Sequence, residues 1–512
     1  DSFGAPSVYS GRSYFLLYWV AISMSKTIII IGAGLAGLSA ALQAAENGCN
    51  VKLVSSLPSE RAQSVMAEGG INAALNTKDE NDSPEEHFTD TIKAACGLAD
   101  PNAVWGMTQA APELVHWLLK LGVKFNMSGY DDVDLRNFGG QKKKRTAFAQ
   151  SDTGKQIMTA MIDAVRRKEA SGMVERFSHH SFLTLRLCGN ICCGCVIRDE
   201  YSQETVELPG NAVIVASGGM HGLFGNTTGS LSNTGEVTAE LFRLGVPLAN
   251  GEMIQYHPTT VKCGGKRMLI SEAARGEGGR LFAMKDGKQW YFMEEKYPEL
   301  GNLMPRDITA REIWKVSHES EVFLDMTEIS DEIISNKLSG LADDCMTYLH
   351  KDIRKEPVSV LPGIHYFMGG ILVDEQHRTP IQNLYAAGEC CAQYHGANRL
   401  GGNSLLGALY GGRVAAKSAC EQADVVDLSC ATQIDFPPTS QISEIKQLNK
   451  VMQETMGVVR NENTLLNGIQ TVQALTGNLP LLGMAVLKSA LARKESRGAH
   501  WREDYPECNN RD

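Results

Sequence analysis

Residues 27–37 read Thr-Ile-Ile-Ile-Ile-Gly-Ala-Gly-Leu-Ala-Gly, and this stretch decides the fold. Four isoleucines in a row make Thr27–Ile31 a buried apolar strand rather than a half-exposed one. Gly32-x-Gly34-x-x-Gly37 follows at once and opens a helix over Leu35–Asn47 that ends near Gly48. Glycine at those positions permits a tight turn and close backbone approach to a pyrophosphate. The helix N-terminus then offers free N–H groups and the positive end of its dipole. Val51–Val54 is the next strand, so the chain begins as a βαβ unit. The acid that usually ends this second strand and holds an NAD ribose is missing. Ser55 and Ser56 stand there, and Glu60 comes later.

A second informative segment lies more than 350 residues further on (388 against 37). Residues 388–412 read GECCAQYHGANRLGGNSLLGALYGG. The segment combines a glycine-rich turn, one acid able to hold a ribose (Glu389), and Arg399 with glycines close by. It suits a flavin on one side and a small anion on the other. Buried-strand patterns at Ala212–Ala216 and Leu384–Ala387 place both segments in one βα framework. Two distant halves of one cofactor site imply a large flavoenzyme with something inserted between them.

The inserted part runs from about 251 to 365, where charges and aromatics rise and the βα rhythm disappears. Phe436-Pro437-Pro438 marks a linker, and 440–495 has helical, amphipathic spacing. The predicted architecture is α/β. A Rossmann-like FAD-binding domain (24–250 and 366–432) is interrupted by an α+β capping domain (251–365). A helical C-terminal domain (433–512) follows. Residues 1–23 do not match the rest: Met24 directly precedes the first strand, and YFLLYWVAI is too short to span a bilayer. They are expected to be a non-native or disordered extension, with the C-terminal end read as a possible truncation.

The chain has 512 residues, 43% hydrophobic and 21% charged, with fifty glycines, as suits an α/β protein full of tight turns. A net charge of −10 argues against nucleic acid as a main partner. Thirteen cysteines without framework spacing read as reduced thiols of a cytoplasmic protein. Cys188, Cys192, Cys193 and Cys195 read as small apolar residues in two strands around a Gly-Asn turn rather than as metal ligands. Lys142–Arg145 reads as a solvated loop.

Further motifs carry chemistry. Arg61-Ala62-Gln63-Ser64 precedes Ala67-Glu68-Gly69-Gly70. The glycine pair lets backbone lie against a flat ring, and Ser64 is able to donate to a ring heteroatom. Gln255-Tyr256-His257-Pro258-Thr259-Thr260 is followed by Ser271-Glu272-Ala273-Ala274-Arg275. Glu272 and Arg275 stand at i and i+3, on one face of a helical turn, a pattern shared with ordinary surface ion pairs. Pro305-Arg306-Asp307 resembles a routine helix start. His365-Tyr366-Phe367-Met368-Gly369-Gly370 is the last of the set.

Together these pieces, in this order, resemble the flavoprotein subunit of fumarate reductase and succinate dehydrogenase from about Lys26 to Asp504. The resemblance implies FAD held by Gly32, Gly34 and Gly37 at the pyrophosphate and by Ser64 and Gly69 along the isoalloxazine. It implies Glu389 at the ribose, with Ser404 and Leu405 near the ring. It implies dicarboxylate ligands His257, Ser271 (where the family usually has Thr), His365 and Arg399. It assigns proton delivery to Arg306 and its reprotonation to Glu272 and Arg275. No metal site is implied. Members with covalent flavin carry His where Gln63 stands, so noncovalent FAD and fumarate reduction are the expected state and direction. The family's usual partners are an iron–sulfur subunit and a quinone-binding membrane anchor, which would put a cytoplasmic protein at the inner face of the membrane. L-aspartate oxidase is the nearest rival. A flavin-containing RNA-modifying protein and a non-catalytic flavin carrier are rivals of other classes.

Overall fold

Five parallel strands make the central sheet, in the order Leu384–Ala386, Ala212–Val215, Thr27–Ile31, Asn50–Ser55, Val174–Ser178. The computed structural model describes residues 25–129, 132–423, 434–438 and 440–509. The expected extension at 1–23 and the last three residues of the tail lie outside the described residues. The isoleucine run explains itself. Ile28 and Ile30 pack with Val51, Leu53 and Ile214 on one face; Ile29 and Ile31 pack with Val54, Val213 and Val215 on the other. A strand covered on both sides needs apolar residues at every position, so alternation is lost.

Helices cover the first face, chiefly Leu35–Glu46, Pro101–Leu121, Thr153–Ala170 and Asn403–Gln422. An antiparallel sheet covers the second, formed by His180–Cys188, Ile191–Asp199 and Thr205–Pro209. Cys192 and Cys195 are fully buried in it, as small apolar side chains beside Leu185 and Ile197. The expectation of uniformly reduced thiols does not hold at Cys188. It sits half-buried at the end of its strand and is disulfide-bonded; the other described cysteines are free.

The carboxyl ends of the central strands point at one cavity of about 660 Å³. Its walls include Gly32–Ala36, Ser55, Ser56, Ser217, Gly218 and Ala387–Glu389, which are the turns that leave those strands. This is where open parallel sheets bind ligands.

The inserted segment closes the cavity from above. One small sheet joins Lys266–Leu269, Ile254–Cys263 and Leu361–Phe367. A second joins Lys288–Trp290, Arg280–Lys285, Val322–Asp325 and Val358–Ser359. The segment has its own core, including Ile270, Leu281, Phe292, Ile313 and Leu324. The Leu361–Phe367 strand crosses the 365/366 position where a boundary was expected. Helices Ile442–Thr455, Glu462–Val472 and Asn478–Ala492 pack Leu448, Met452, Leu465 and Leu482 against Met220, Phe224 and Phe367. Among the described residues no helix is long and apolar enough to cross a membrane.

Gly37 shows why the turn tolerates no side chain: a Cβ there would lie 1.8 Å from the Gly32 carbonyl oxygen. Gly48 has a positive φ of 79° but nothing within 4 Å of its Cβ position. Gly37→Ala should cost roughly 3 kcal/mol in urea unfolding and weaken flavin retention. Gly48→Ala should cost only about 1 kcal/mol, from backbone strain alone. Equal urea midpoints for the two variants would contradict this account of the turn.

Candidate active site

The cofactor end is built from backbone. Gly32 N–H donates to Val54 carbonyl at 2.8 Å and ties the turn to the second strand. The first amides of the Leu35–Glu46 helix have no intrahelical partner and open into the cavity. Ser64 Oγ accepts from Leu35 N–H at 3.2 Å. That places its hydroxyl at the start of the glycine-turn helix. The reason is the fold of Gln63–Met66, a single 3-10 turn that packs Ser64 back against the helix start. Gly69, Ser404 and Leu405 line the same cavity, the last two in the first turn of Asn403–Gln422. Asn72 Nδ2 donates to Gly401 carbonyl and Asn403 Oδ1, both at 2.8 Å, and fixes that helix start. Glu389 Oε1 accepts from Phe367 N–H at 3.1 Å, which holds its carboxylate in the wall.

Two further groups test the fit to a flavin. Glu68 is a cavity-wall residue whose Oε2 has no partner among the described residues. Burial, with help from Asp344 and Asp152, pushes its carboxyl up to about 8. At neutral pH it is a protonated donor, suited to a ring heteroatom. Gln63 Oε1 accepts from Ser230 N–H at 2.5 Å, so the side chain is anchored by its carbonyl on the wall. These groups and the glycine cradle fit FAD.

The other end is built from side chains of distant segments. His257 lies in the Ile254–Cys263 strand, whose register slips on both sides of Tyr256–His257, with Pro258 in the irregularity. Such bulges re-aim side chains and accommodate proline. His365 comes from the paired strand, and the two imidazole centroids are 5.1 Å apart. Thr259 N–H lies 3.3 Å from His257 Nδ1, and Thr228 Oγ1 lies 2.8 Å from His365 Nδ1. His257 Nδ1 also lies 3.1 Å from the Thr259 carbonyl oxygen, so each ring is anchored through its Nδ1. Ser271 caps the short helix Glu272–Gly276 by accepting from Ala273 N–H at 3.4 Å, which leaves its own hydroxyl hydrogen free to donate. Arg399 lies over the Tyr366 ring, 4.3 Å from its centroid. Its Nε has no partner among the described residues although the side chain is buried.

Arg306, the first residue of the Arg306–Val316 helix, carries its cation at the unfavourable end of the helix dipole. Glu272 offsets this. Its Oε2 accepts from Arg306 Nε at 2.8 Å and Nη2 at 2.6 Å; its Oε1 accepts from Arg275 Nη2 at 3.2 Å and Gly139 N–H at 3.1 Å. The i, i+3 pair that sequence shares with surface ion pairs is therefore buried.

The electrostatics follow from burial. Arg275, Arg306 and Arg399 share Glu272, and Glu389 also acts on Arg399, so three cations meet two carboxylates. Burial raises the Glu272 pKa, but Arg306 and Arg275 outweigh it and the net shift is down. Burial, then Arg306, presses Arg399 down to about 9, still cationic at neutral pH. Burial, with the nearby arginines, holds His257 and His365 well below the usual imidazole range. The cleft offers two neutral imidazoles and an excess of positive charge, which complements an anionic ligand.

The structure thus brings His257, Ser271, Glu272, Arg275, Arg306, His365 and Arg399 into one pocket region from five separate segments. Sequence reading missed Gln255, which lies behind the arginines. It also missed Asn398 beside Arg399, Phe138 in the wall, and Gly139, whose N–H donates to Glu272. Phe138-Gly139-Gly140 carried a glycine-pair signal like that of Gly69-Gly70.

Comparison with known proteins agrees with this geometry. The FAD binding domain family matches residues 27–405, and the fumarate reductase flavoprotein C-terminal family matches 476–512. The succinate dehydrogenase flavoprotein subunit of Bacillus subtilis is 38% identical over 95% of this chain and 92% of its own length. An L-aspartate oxidase of Pyrococcus furiosus is 33% identical over 94% of this chain and 96% of its own. A solved mutant of E. coli quinol fumarate reductase FrdA superposes with a TM-score of 0.86 at 27% identity, covering 95% of this chain and 93% of that one.

The neutral imidazoles give a pH prediction. A bound dianion raises their pKa from its depressed free value, so binding takes up protons and tightens as pH falls. The dissociation constant for malonate should therefore decrease between about pH 7.5 and about pH 6, around the ordinary imidazole value of about 6.5. His257→Ala and His365→Ala should each flatten that slope. A pH-independent constant in the unaltered protein would exclude proton uptake by either ring.

Proposed function

We propose, for a chain that belongs to the fumarate reductase and succinate dehydrogenase flavoprotein family, that this cleft interconverts fumarate and succinate and works chiefly as a fumarate reductase. The observation that carries the reading is the buried Arg306–Glu272–Arg275 chain set beside two imidazoles and a buried guanidinium with an unpartnered Nε. Such a set has a clear use if a dicarboxylate must be held and then protonated.

In this reading Gly32, Gly34, Gly37, Ser64, Gly69, Glu389, Ser404 and Leu405 hold FAD. When bound, FAD supplies the two electrons as hydride from its ring to one carbon of the substrate. The protein does the rest. Arg399 and His365 grip one carboxylate, and His257 and Ser271 the other; Tyr366 beneath Arg399 sets that end. Clamping the two ends separately turns one carboxylate out of the plane of the double bond, which makes it electron-poor. Arg306 then delivers a proton to the second carbon, 

from one of the N–H groups that Glu272 does not engage. A guanidinium is a poor acid, since its pKa exceeds ~12 in water. Glu272 remains a carboxylate at neutral pH and relays a proton from the Arg275 side as Arg306 gives its own away.

Gln63 supports noncovalent FAD, because an amide has no nucleophilic ring nitrogen to bond a flavin methyl. The direction follows from that absence. The cleft also speaks against L-aspartate oxidation. Glu272, the carboxylate beside the arginines, is already engaged by Arg275, Arg306 and Gly139, and the neighbouring wall residue Phe138 is apolar. An amino acid's ammonium meets no free anion there. Electrons would arrive through an iron–sulfur subunit and a quinone-binding membrane anchor, with the chain held at the inner face of the cytoplasmic membrane.

Three measurements test this. Purified protein should turn over fumarate with a reduced viologen dye and should produce no peroxide from L-aspartate; the reverse pattern would replace this function with the rival one. Arg306→Lys should lower fumarate turnover about 100-fold or more, with KM changed only about threefold. Near-normal turnover in that variant would remove Arg306 from its role. Heat or acid should release FAD into the supernatant, whereas flavin in the precipitate would refute noncovalent binding.

A further inference from the structure

Arg306 is fastened along one edge by a single atom. Glu272 Oε2 accepts from both Nε and Nη2, at 2.8 Å and 2.6 Å. Two carboxylate oxygens meeting two N–H groups would fix a guanidinium plane. One oxygen shared by two N–H groups acts as a pivot, and the other oxygen of Glu272 is turned to Arg275 and Gly139.

The second anchor is Gln255. Its Oε1 accepts from Arg306 Nη1 at 3.0 Å. Its Nε2 donates to Asn398 Oδ1 at 2.8 Å and to the Arg399 carbonyl at 2.7 Å. Asn398 is itself oriented, because its Nδ2 donates to Asp307 Oδ1 at 2.9 Å. Gln255 therefore has one amide orientation in which every contact is satisfied. It is fully buried and is not part of the cavity wall, so it does not touch substrate. Of the five N–H groups of Arg306, three are engaged by Glu272 and Gln255. One remains on each terminal nitrogen.

We propose that Gln255 is a positioning residue for proton delivery: it stops Arg306 from pivoting on Glu272 and sets its distance from the Arg399 clamp. The inference rests on the proposed role of Arg306. It goes further by naming the amide that ties the Arg306 guanidinium to the Arg399 main chain. Gln255, Arg306 and Asp307 belong to the inserted segment, and Asn398 and Arg399 to the FAD-binding part. The bond set is complete only when those two parts are together.

The test uses the flavin-loaded protein, with fumarate turnover by reduced viologen and malonate binding read from the flavin absorbance. Gln255→Met should lower kcat about 100-fold while the malonate dissociation constant changes less than about threefold. Placed on Arg306→Gln, the same change should cost no more than about twofold, since its effect passes through the missing arginine. Gln255→Glu keeps the acceptor for Nη1 but sets an oxygen against the Arg399 carbonyl, so kcat should fall about 10-fold with malonate binding unchanged. That variant decides the matter if Gln255→Met does not hold flavin. Unchanged kcat, malonate binding lost in step with kcat, or a further fall on the Arg306→Gln background would each overturn the proposal. An unaltered protein without fumarate turnover sinks the functional reading and this inference with it. Normal turnover with Gln255→Met unaffected sinks this inference alone.

Discussion

The contact between Glu272 and Arg306 is the constraint around which the cleft is arranged. A guanidinium buried in protein needs a counter-charge and a full set of acceptors. One carboxylate serves two arginines here, and a backbone N–H from Gly139 completes its coordination. The segment holding Phe138 to Gln141 must then pass directly beneath the inserted domain; Gly140 N–H meets the Leu303 carbonyl at 3.1 Å just before the Arg306 helix. Three arginines outnumber the carboxylates around them, which leaves the region short of negative charge. Neutral imidazoles are a consequence, because protonated ones would add to a surplus that already exists.

Cofactor and substrate ends obey different construction rules. The cofactor end is made of strand ends, glycine turns and helix starts, whose N–H groups point where the main chain puts them. The substrate end is made of long side chains from segments far apart in sequence, each fixed by hydrogen bonds to a neighbour. That difference governs what sequence alone discloses. The four isoleucines, Gly32-x-Gly34-x-x-Gly37 and the Leu384–Glu389 strand and turn are local signals, and the central sheet follows from them. The helical run after 440 is likewise local, since its amphipathic spacing is set within each helix.

Other features needed tertiary contacts to become visible. Glu272 and Arg275 have the spacing of any exposed pair, and only burial distinguishes them. Gln255 sits inside a motif that was quoted for its histidine, yet its meaning depends on Arg306, Asn398 and Arg399 arriving from elsewhere. Ser64 has no local signal for its bond to Leu35 N–H, which depends on a 3-10 turn carrying it back to the helix start. Cys188 looked like its neighbours in a cysteine-rich hairpin, but it lies at the strand's half-exposed end and is oxidised.

One short loop touches both ends of the cleft. Ser230 N–H is held by the Gln63 amide in the cavity wall, and Thr228, two residues earlier, sits behind the His365 ring. The proposed FAD and dicarboxylate sites therefore share a mechanical element only three residues long. Thermodynamic reciprocity applies to any such shared element: whatever preference FAD imposes on the dicarboxylate through it, the dicarboxylate must return to FAD in equal measure.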